Sequence, residues 1–144
     1  MLFPHDTKAE ALGRAPLFRD LSKHELGELA KATEDLEVEA GKVLTREGDL
    51  GREFFVIVEG EVSVTKDGEE IRRLGPGDFF GEIALVYEDA RRTATVTATT
   101  PLRFFVLTRQ SFWGMLDRMP GVERKILRAL AKRLLATEPA SDIN

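Results

Sequence analysis

The most informative part of the sequence is residues 80–96, which read FGEIALVYEDARRTATV. Gly81 and the small Ala84 flank a turn into a short helical segment, and the N–H groups at the start of a helix attract anions. Glu82 beside those amides is unusual for an anion site unless the ligand also offers a hydroxyl donor. Arg92 can supply a planar, permanently charged fork for a phosphate. A sugar hydroxyl and a phosphate held by one short segment indicate a nucleotide ligand.

The two adjacent arginines are distinguished by the alternation that follows them. Ala94 and Val96 alternate with threonines, and the apolar residues of such a strand face the interior. Extending the alternation backward places Arg92 on the inward face and Arg91 on the outward face. An inward arginine costs free energy unless an acid, water or an anion satisfies it, so Arg92 is the better candidate for a phosphate ligand.

Alternation with a period of two extends through the middle of the chain, residues 36–108. An apolar run at 54–58 predicts a buried strand, and Asp67-Gly68 predicts a hairpin turn. The alternation at 93–99 predicts a further strand. Short strands at intervals of roughly 8–12 residues, separated by glycine turns, predict a mainly β domain, whether sandwich, jelly roll or barrel.

Both ends of the chain have helical patterns instead. Ser22 and Glu25 have the spacing of a capping box, in which each side chain bonds the other residue's backbone N–H. Apolar spacing predicts helices at 110–119 and 122–135, separated by Pro120-Gly121. In the last helix we expect one apolar stripe, formed by Ile126, Leu127, Leu130 and Leu134.

The last helix also carries a basic face, formed by Lys125, Arg128, Lys132 and Arg133. Such a face can bind nucleic acid, but it is more typical of a solvated helix surface, part of which here would face the acidic β region. The net charge of −4 favours the second interpretation. We therefore expect no nucleic-acid partner.

Composition excludes several other classes of protein. The 144 residues, 42% hydrophobic and 32% charged, suit one soluble globular domain. Apolar runs never exceed five residues, whereas a membrane-spanning helix needs about 20, and no secretory signal is expected at the N-terminus. The chain has no cysteine and only two histidines, His5 and His24, so disulfides are excluded and a histidine-rich metal site is disfavoured.

Two separated motifs resemble the cyclic nucleotide-binding domain family, which includes kinase regulatory subunits, nucleotide-gated channels and catabolite-activator-type transcription factors. FGEIAL at 80–85 and RTATV at 92–96 look like that family's phosphate-binding cassette. LTREGDLGREFFVIVEG at 44–60 has its Gly-Asp pair, apolar run and closing glycine at the family's spacing. Thr45 departs from the aliphatic residue that is usual there, which concerns packing rather than the ligand site. The resemblance covers residues 17–136.

The resemblance implies a role for each matching residue. Glu82 would accept a hydrogen bond from the ribose 2′-hydroxyl, and Arg92 would pair with the exocyclic oxygens of the cyclic phosphate. Four backbone amides would complete the anion shell, those of Gly81, Ile83, Ala84 and Thr93. Two apolar side chains would line the base pocket, Val62 and Leu74. The helix from Val122 would close over the base, with Pro120-Gly121 as its hinge.

The fold implied by the resemblance is an eight-stranded antiparallel jelly-roll β-barrel flanked by N-terminal and C-terminal α-helices. Residues 1–16 would form an N-terminal tail and short helix, 17–136 the domain, and 137–144 a polar C-terminal tail that we expect to fray. The expected protein is a cytoplasmic sensor of cAMP or cGMP, not an enzyme, with no metal, no further cofactor and no membrane contact. Its output would be an effector protein or a homodimer formed through the C-terminal helix.

Three other interpretations remain open at this stage. The chain could be a fragment or relative of a cAMP-dependent transcription regulator, whose helix-turn-helix domain would follow the last helix. It could be a ligand-free interaction domain. A metal-dependent enzyme on a jelly-roll scaffold is disfavoured by the two histidines. The choice between cAMP and cGMP is also open, since a threonine at position 93 suits either nucleotide.

Overall fold

The computed structural model describes residues 5–136 and residue 143. The helices are α1 (His5–Gly13), a 3-10 helix (Pro16–Phe18), α2 (Lys23–Lys31), α3 (Ile83–Val86), α4 (Arg109–Arg118) and α5 (Pro120–Ala136). The strands are β1 (Glu34–Val38), β2 (Val43–Thr45), β3 (Glu53–Glu59), β4 (Val62–Lys66), β5 (Glu69–Leu74), β6 (Phe79–Phe80), β7 (Thr95–Ala98) and β8 (Leu102–Thr108). In the part of the chain described, no helix combines the length and apolar character needed to cross a bilayer.

The strands form two four-stranded antiparallel sheets, in the orders β1-β8-β3-β6 and β2-β7-β4-β5. The prediction of a mainly β domain with flanking helices is therefore confirmed.

Strand β3 separates two apolar cores because its successive side chains point to opposite faces. Phe55 and Ile57 belong to a cluster that joins residues of both sheets. Phe54 and Val56 belong to a second cluster, which joins this sheet to the helices. The segment that carries the candidate site, residues 80–96, begins beside this strand, since Phe80 pairs with Phe55.

Local sequence signals explain how several elements begin and turn. The Ser22 backbone N–H donates to Glu25 Oε1 at 2.8 Å and the Glu25 N–H donates to Ser22 Oγ at 3.1 Å, which confirms the capping box. Asp67 and Gly68 both have positive φ, 53° and 82°, as a type I′ hairpin turn requires. Pro120 is the first residue of α5, a position where its missing N–H costs nothing.

The predicted apolar stripe of α5 is partly wrong. Its buried residues are Val122, Ile126 and Ala129, whereas Leu127 and Leu134 are 67% and 83% exposed. A helix with apolar residues on two adjacent faces can bury only the one that meets the core. Periodicity alone did not identify which face that is.

The predicted C-terminal tail lies outside the described residues except for one position. Ile143 is 5% exposed and packs in the cluster between the two sheets. The buried position of Ile143 does not fit a tail that frays throughout. The predicted domain boundaries at residues 16 and 136 remain predictions.

Candidate functional site

Arg92 is a buried cation three residues before the start of β7 at Thr95, and only 4% of its surface is exposed. Its Nη2 donates to the Glu53 backbone oxygen at 3.0 Å and lies 3.2 Å from Glu53 Oε1. The guanidinium also lies over the Phe55 ring, 5.7 Å from its centroid. Burial lowers the pKa of Arg92 from its usual value and Glu53 opposes that shift, but an arginine keeps its charge near neutral pH.

One nitrogen of this guanidinium has no hydrogen-bond partner among residues 5–136 and 143. That atom is Nη1 of Arg92, which is fully buried. A buried donor without an acceptor costs free energy, and the cost is larger for a charged group. The geometry therefore fits an anion that would accept from Nη1.

Two glycines make room for the guanidinium. A Cβ on Gly51 would lie 2.9 Å from both Cζ and Nε of Arg92, and 3.1 Å from the Ala84 Cβ. A Cβ on Gly81 would lie 2.8 Å from Nη1 of Arg92 and 2.7 Å from the Glu53 backbone oxygen. Gly81 also has a φ of +86°, which side chains disfavour. Neither position accepts a side chain while Arg92 keeps this place.

The expected orientation of the two arginines is confirmed. Arg92, Ala94 and Val96 are buried, and Arg91 and Thr93 are exposed. The alternation holds although regular strand pairing in β7 begins only at Thr95.

Glu82 is the second buried charge of the region, with 1% of its surface exposed. Its Oε1 lies 2.7 Å from Nη1 of Arg133, which reaches the site from α5. Burial raises the pKa of the Glu82 carboxyl, and Arg133 together with the Leu17 backbone opposes that rise. A carboxylate has about four acceptor positions, so the contact with Arg133 leaves room for a hydroxyl donor.

Two of the four amides expected in the anion shell already bond within the chain. The Gly81 N–H donates to the Ile143 backbone oxygen, and the Ala84 N–H donates to the Gly81 oxygen, each at 3.1 Å. Ile83 begins the single turn of α3, and Thr93 is exposed beside Arg92.

The two residues expected at the base pocket lie opposite each other. Val62 of β4 pairs with Leu74 of β5, and both are buried in the apolar cluster between the sheets. Phe55, which lies under the Arg92 guanidinium, belongs to the same cluster. The structure thus brings an apolar surface close to a buried cation, an arrangement that suits a ligand with one apolar and one anionic part.

Sequence reasoning assigned no role to three residues that shape this site. Gly51 and Glu53 fall within the 44–60 motif, and the glycine and the acid of that motif are the signal that could have indicated them. Arg133 looked like one more cation on a helix face. No local signal separates it from Lys125 and Lys132, which pair with Glu25 and Asp20 at 2.6 and 3.2 Å.

Comparison with known proteins agrees with this geometry. Residues 35–119 match the family described as the cyclic nucleotide-binding domain. The chain belongs to the cyclic nucleotide-binding domain family.

Two curated relatives in this family carry kinase names. A cAMP-dependent protein kinase regulatory subunit from Eremothecium gossypii is 42% identical over 110 residues, which are 76% of this chain and 24% of the relative. The cGMP-dependent protein kinase egl-4 from Caenorhabditis briggsae is 31% identical over 125 residues, 85% of this chain and 16% of the relative. The chain therefore spans about a quarter or less of the length of these relatives.

Two solved structures are similar in fold and sequence. The regulatory domain of Toxoplasma gondii PKA, crystallised with cAMP, has a TM-score of 0.69 and 35% identity, over 77% of this chain and 44% of that one. The N-terminal domain of a transcriptional regulator from Streptomyces coelicolor A3(2) has a TM-score of 0.78 and 32% identity, over 88% of this chain and 92% of that one.

Proposed function

We propose that this chain is a regulatory module that binds cAMP or cGMP between its two sheets. The observation that carries the proposal is Arg92, a buried guanidinium whose Nη1 has no acceptor among the residues described. Its charge would meet the exocyclic oxygens of the cyclic phosphate, and Glu82 would accept from the ribose 2′-hydroxyl. The pair would thus recognise both a phosphate and a sugar.

The other contacts extend from these two. Val62 and Leu74 would line the base pocket, and four amides would complete the anion shell: those of Gly81, Ile83, Ala84 and Thr93. The amides of Gly81 and Ala84 would exchange their present acceptors, or share them, when the phosphate enters. Relatives named for cAMP and for cGMP support a cyclic nucleotide as the ligand.

The proposal includes a mechanical link from the ligand to α5. Arg133 on α5 contacts Glu82 directly, so a ribose hydroxyl that bonds Glu82 changes the partner of a residue on that helix. Met119 caps α4 with an irregular backbone conformation just before Pro120, which supports Pro120-Gly121 as a hinge. A ligand shifts a helix only through contacts that differ between two states, and this pair offers such a contact.

The sheet orders support the jelly-roll barrel that the sequence resemblance implies. When the two sheet orders are written one above the other, each position holds two strands that are consecutive in the chain: β1 and β2, β8 and β7, β3 and β4, β6 and β5. This is the arrangement of a double-sheet jelly roll. A nucleotide between the sheets would lie inside it.

The output of the module is part of the same proposal. The relatives named as kinase regulatory subunits support a non-enzymatic regulator whose α5 acts on an effector protein or on a second copy. A cytoplasmic location stays a prediction.

Calorimetric titration with cAMP, cGMP and 5′-AMP tests the ligand. We expect one cyclic nucleotide to bind per chain and 5′-AMP to bind much more weakly, since the pocket would be shaped around a cyclised phosphate. Absence of binding by both cyclic nucleotides at millimolar concentration would contradict the proposal and favour a ligand-free interaction domain.

A second candidate is the sensor domain of a transcription regulator. The similarity to the N-terminal domain of a Streptomyces coelicolor regulator favours it, since that match covers nearly the whole of both chains. The two candidates share the ligand and differ in the output. A reading frame that continues into a helix-turn-helix domain after α5 would decide for the regulator.

A further inference from the structure

Ile143 is an apolar residue buried in the cluster that contains the residues proposed for the base pocket. It is 5% exposed and belongs to the same cluster as Val62, Leu74 and Phe55. The first two are the side chains expected at the base pocket, and the third lies under the Arg92 guanidinium. An isoleucine in this cluster covers apolar surface that a base would otherwise cover.

The backbone of Ile143 bonds an amide that the phosphate of the nucleotide would otherwise contact. Its carbonyl oxygen accepts from the Gly81 N–H at 3.1 Å. Gly81 is one of the expected anion-shell residues, and a Cβ built on it would lie 2.8 Å from Nη1 of Arg92. Ile143 thus supplies an apolar side chain and a hydrogen-bond acceptor at two places where the nucleotide would supply a base and a phosphate oxygen.

We propose that Ile143 is an internal competitor of the nucleotide, occupying the pocket in the free chain and leaving it when cAMP or cGMP binds. This inference rests on the proposed function. The Ile143 side chain offers no negative charge, and Nη1 of Arg92 has no acceptor among residues 5–136 and 143 while Ile143 is in place. A cyclic phosphate meets that bond, which gives the nucleotide an advantage that the internal residue cannot match.

The competition has a measurable consequence. When the binding-competent state is only a fraction of the population, the apparent dissociation constant is raised by the inverse of that fraction. Weakening the contact of Ile143 should therefore tighten nucleotide binding without any new contact to the ligand. The coupling free energies usual between two sites predict a change of roughly 5- to 150-fold.

The test compares three variants by calorimetric titration with cAMP and cGMP. Ile143→Ser removes most of the apolar contact, and Ile143→Val removes one methylene as a conservative step. Ile71→Ser is the matched control, because Ile71 is 53% exposed on β5. Amide hydrogen exchange at Gly81, measured by NMR without nucleotide, reports the backbone contact independently.

The expected result is a dissociation constant that falls roughly 5- to 150-fold in Ile143→Ser and less in Ile143→Val, with Ile71→Ser unchanged. Gly81 should exchange slowly in the free wild-type chain and in Ile71→Ser, and faster in Ile143→Ser. If the dissociation constant of Ile143→Ser stays within twofold of the wild-type value, or if the Gly81 exchange rate does not change, the internal-competitor proposal is overturned. The proposed function is not affected by that outcome. If Gly81 loses its protection in Ile143→Ser but neither the wild type nor any variant binds a nucleotide, the proposed function is overturned. The proposed competition is then overturned as well.

Discussion

The position of the Arg92 guanidinium depends on two neighbouring glycines. Gly51 and Gly81 have no side chain, and any Cβ at either position would lie within 3 Å of the guanidinium. Among the residues that the structure describes, only Glu53 meets part of its charge, from one side. A cation kept in this way is best explained by an anion that binds on the side where Nη1 has no acceptor among those residues.

Replacing the two adjacent arginines should have very different effects on nucleotide affinity. We expect Arg92→Ala to weaken binding by about 2–5 kcal/mol, the cost of losing one partner of a desolvated charge pair. Arg91→Ala should cost less than about 1 kcal/mol, because Arg91 is exposed. Arg92→Lys should also weaken binding, since an ammonium loses the planar fork. Calorimetry on the three variants measures this, and equal effects at 91 and 92 would refute the assignment of Arg92.

Adding a methyl group at Gly51 should reduce nucleotide affinity more than it reduces folding stability. The atoms that it would meet first are the movable end of the Arg92 side chain, 2.9 Å away, so Gly51→Ala displaces the guanidinium. We expect an affinity loss of at least about tenfold, on the order of 1.4 kcal/mol, with a smaller loss of folding stability. Titration and thermal unfolding of the same sample separate the two effects.

Gly27→Ala is the matched control for that substitution. Gly27 lies in the middle of α2, and a Cβ there would meet nothing within 4 Å. The substitution should stabilise the fold by about 0.5–1 kcal/mol and leave nucleotide affinity unchanged. If both glycine variants reduced affinity equally, the explanation through the Arg92 guanidinium would fail.

Helix α5 meets the site through one buried ion pair, Arg133 with Glu82. Arg133→Met leaves a buried carboxylate without this partner, and such a loss typically costs about 3–5 kcal/mol of stability near neutral pH. Burial already raises the pKa of Glu82, and losing Arg133 raises it further. The stability linked to a raised pKa is present below the usual value and lost as the pH rises through the raised value, so the loss should be larger at pH 7 than at pH 5.

Urea unfolding of a double-mutant cycle measures this pair. Glu82→Gln/Arg133→Met removes both charges and should recover much of the stability that Arg133→Met loses, while Arg133→Lys should fall between wild type and Arg133→Met. If the losses of the single variants simply add in the double variant, the two residues do not interact in solution.

An ion pair joins β1, the edge strand of its sheet, to the neighbouring strand β8. Its contribution to the free energy of unfolding should depend on pH. Arg103 Nη2 lies 2.7 Å from Asp35 Oδ2, and its Nε donates to Oδ1 at 3.1 Å. The hydrogen bond from Arg103 lowers the pKa of Asp35 below its usual value of 3.8. A lowered pKa gives stability that is present above the usual value and lost as the pH falls through the lowered one.

Asp35→Asn should therefore cost about 0.5–1 kcal/mol of stability at pH 7, and progressively less as the pH falls below 3.8, the usual pKa of the group. The control is Glu34→Gln, an exposed acid on the same strand. Denaturant unfolding across this pH range gives the comparison. A cost for Asp35→Asn that is the same at pH 7 and at low pH would show that the charge is not the cause.

At the scale of the molecule, the described residues form two apolar cores that share β3. A nucleotide bound between the sheets would contact one core directly and the other through β3 and α5. Because such a ligand binds only the folded chain, a concentration 100 times the dissociation constant should add about 2.7 kcal/mol of stability. The melting temperature should rise by several degrees and continue to rise with the logarithm of nucleotide concentration. A melting temperature unaffected by millimolar cAMP and cGMP would contradict this prediction.

Much of the fold follows from the sequence because its signals are local. The capping box at Ser22, the hairpin at Asp67-Gly68, the buried strand around 54–58 and the helices after residue 108 all depend on neighbours within a few residues. The inward orientation of Arg92 follows in the same way from the alternation of Ala94 and Val96. These features were predicted because propensity and periodicity act over one turn or one strand.

The features that tertiary structure decided depend on segments that are distant in the chain. Gly51 leaves room for Arg92, Arg133 contacts Glu82, and Ile143 lies against Gly81. Distant segments also decide which face of α5 is buried. Ile126 and Leu127 are both apolar, and only the packed core buries the first and leaves the second exposed. Sequence determined which chemical groups this protein has and which way each points along its own strand or helix. Only the packing of the two sheets and α5 decided which of those groups meet, because that depends on contacts with no local signature.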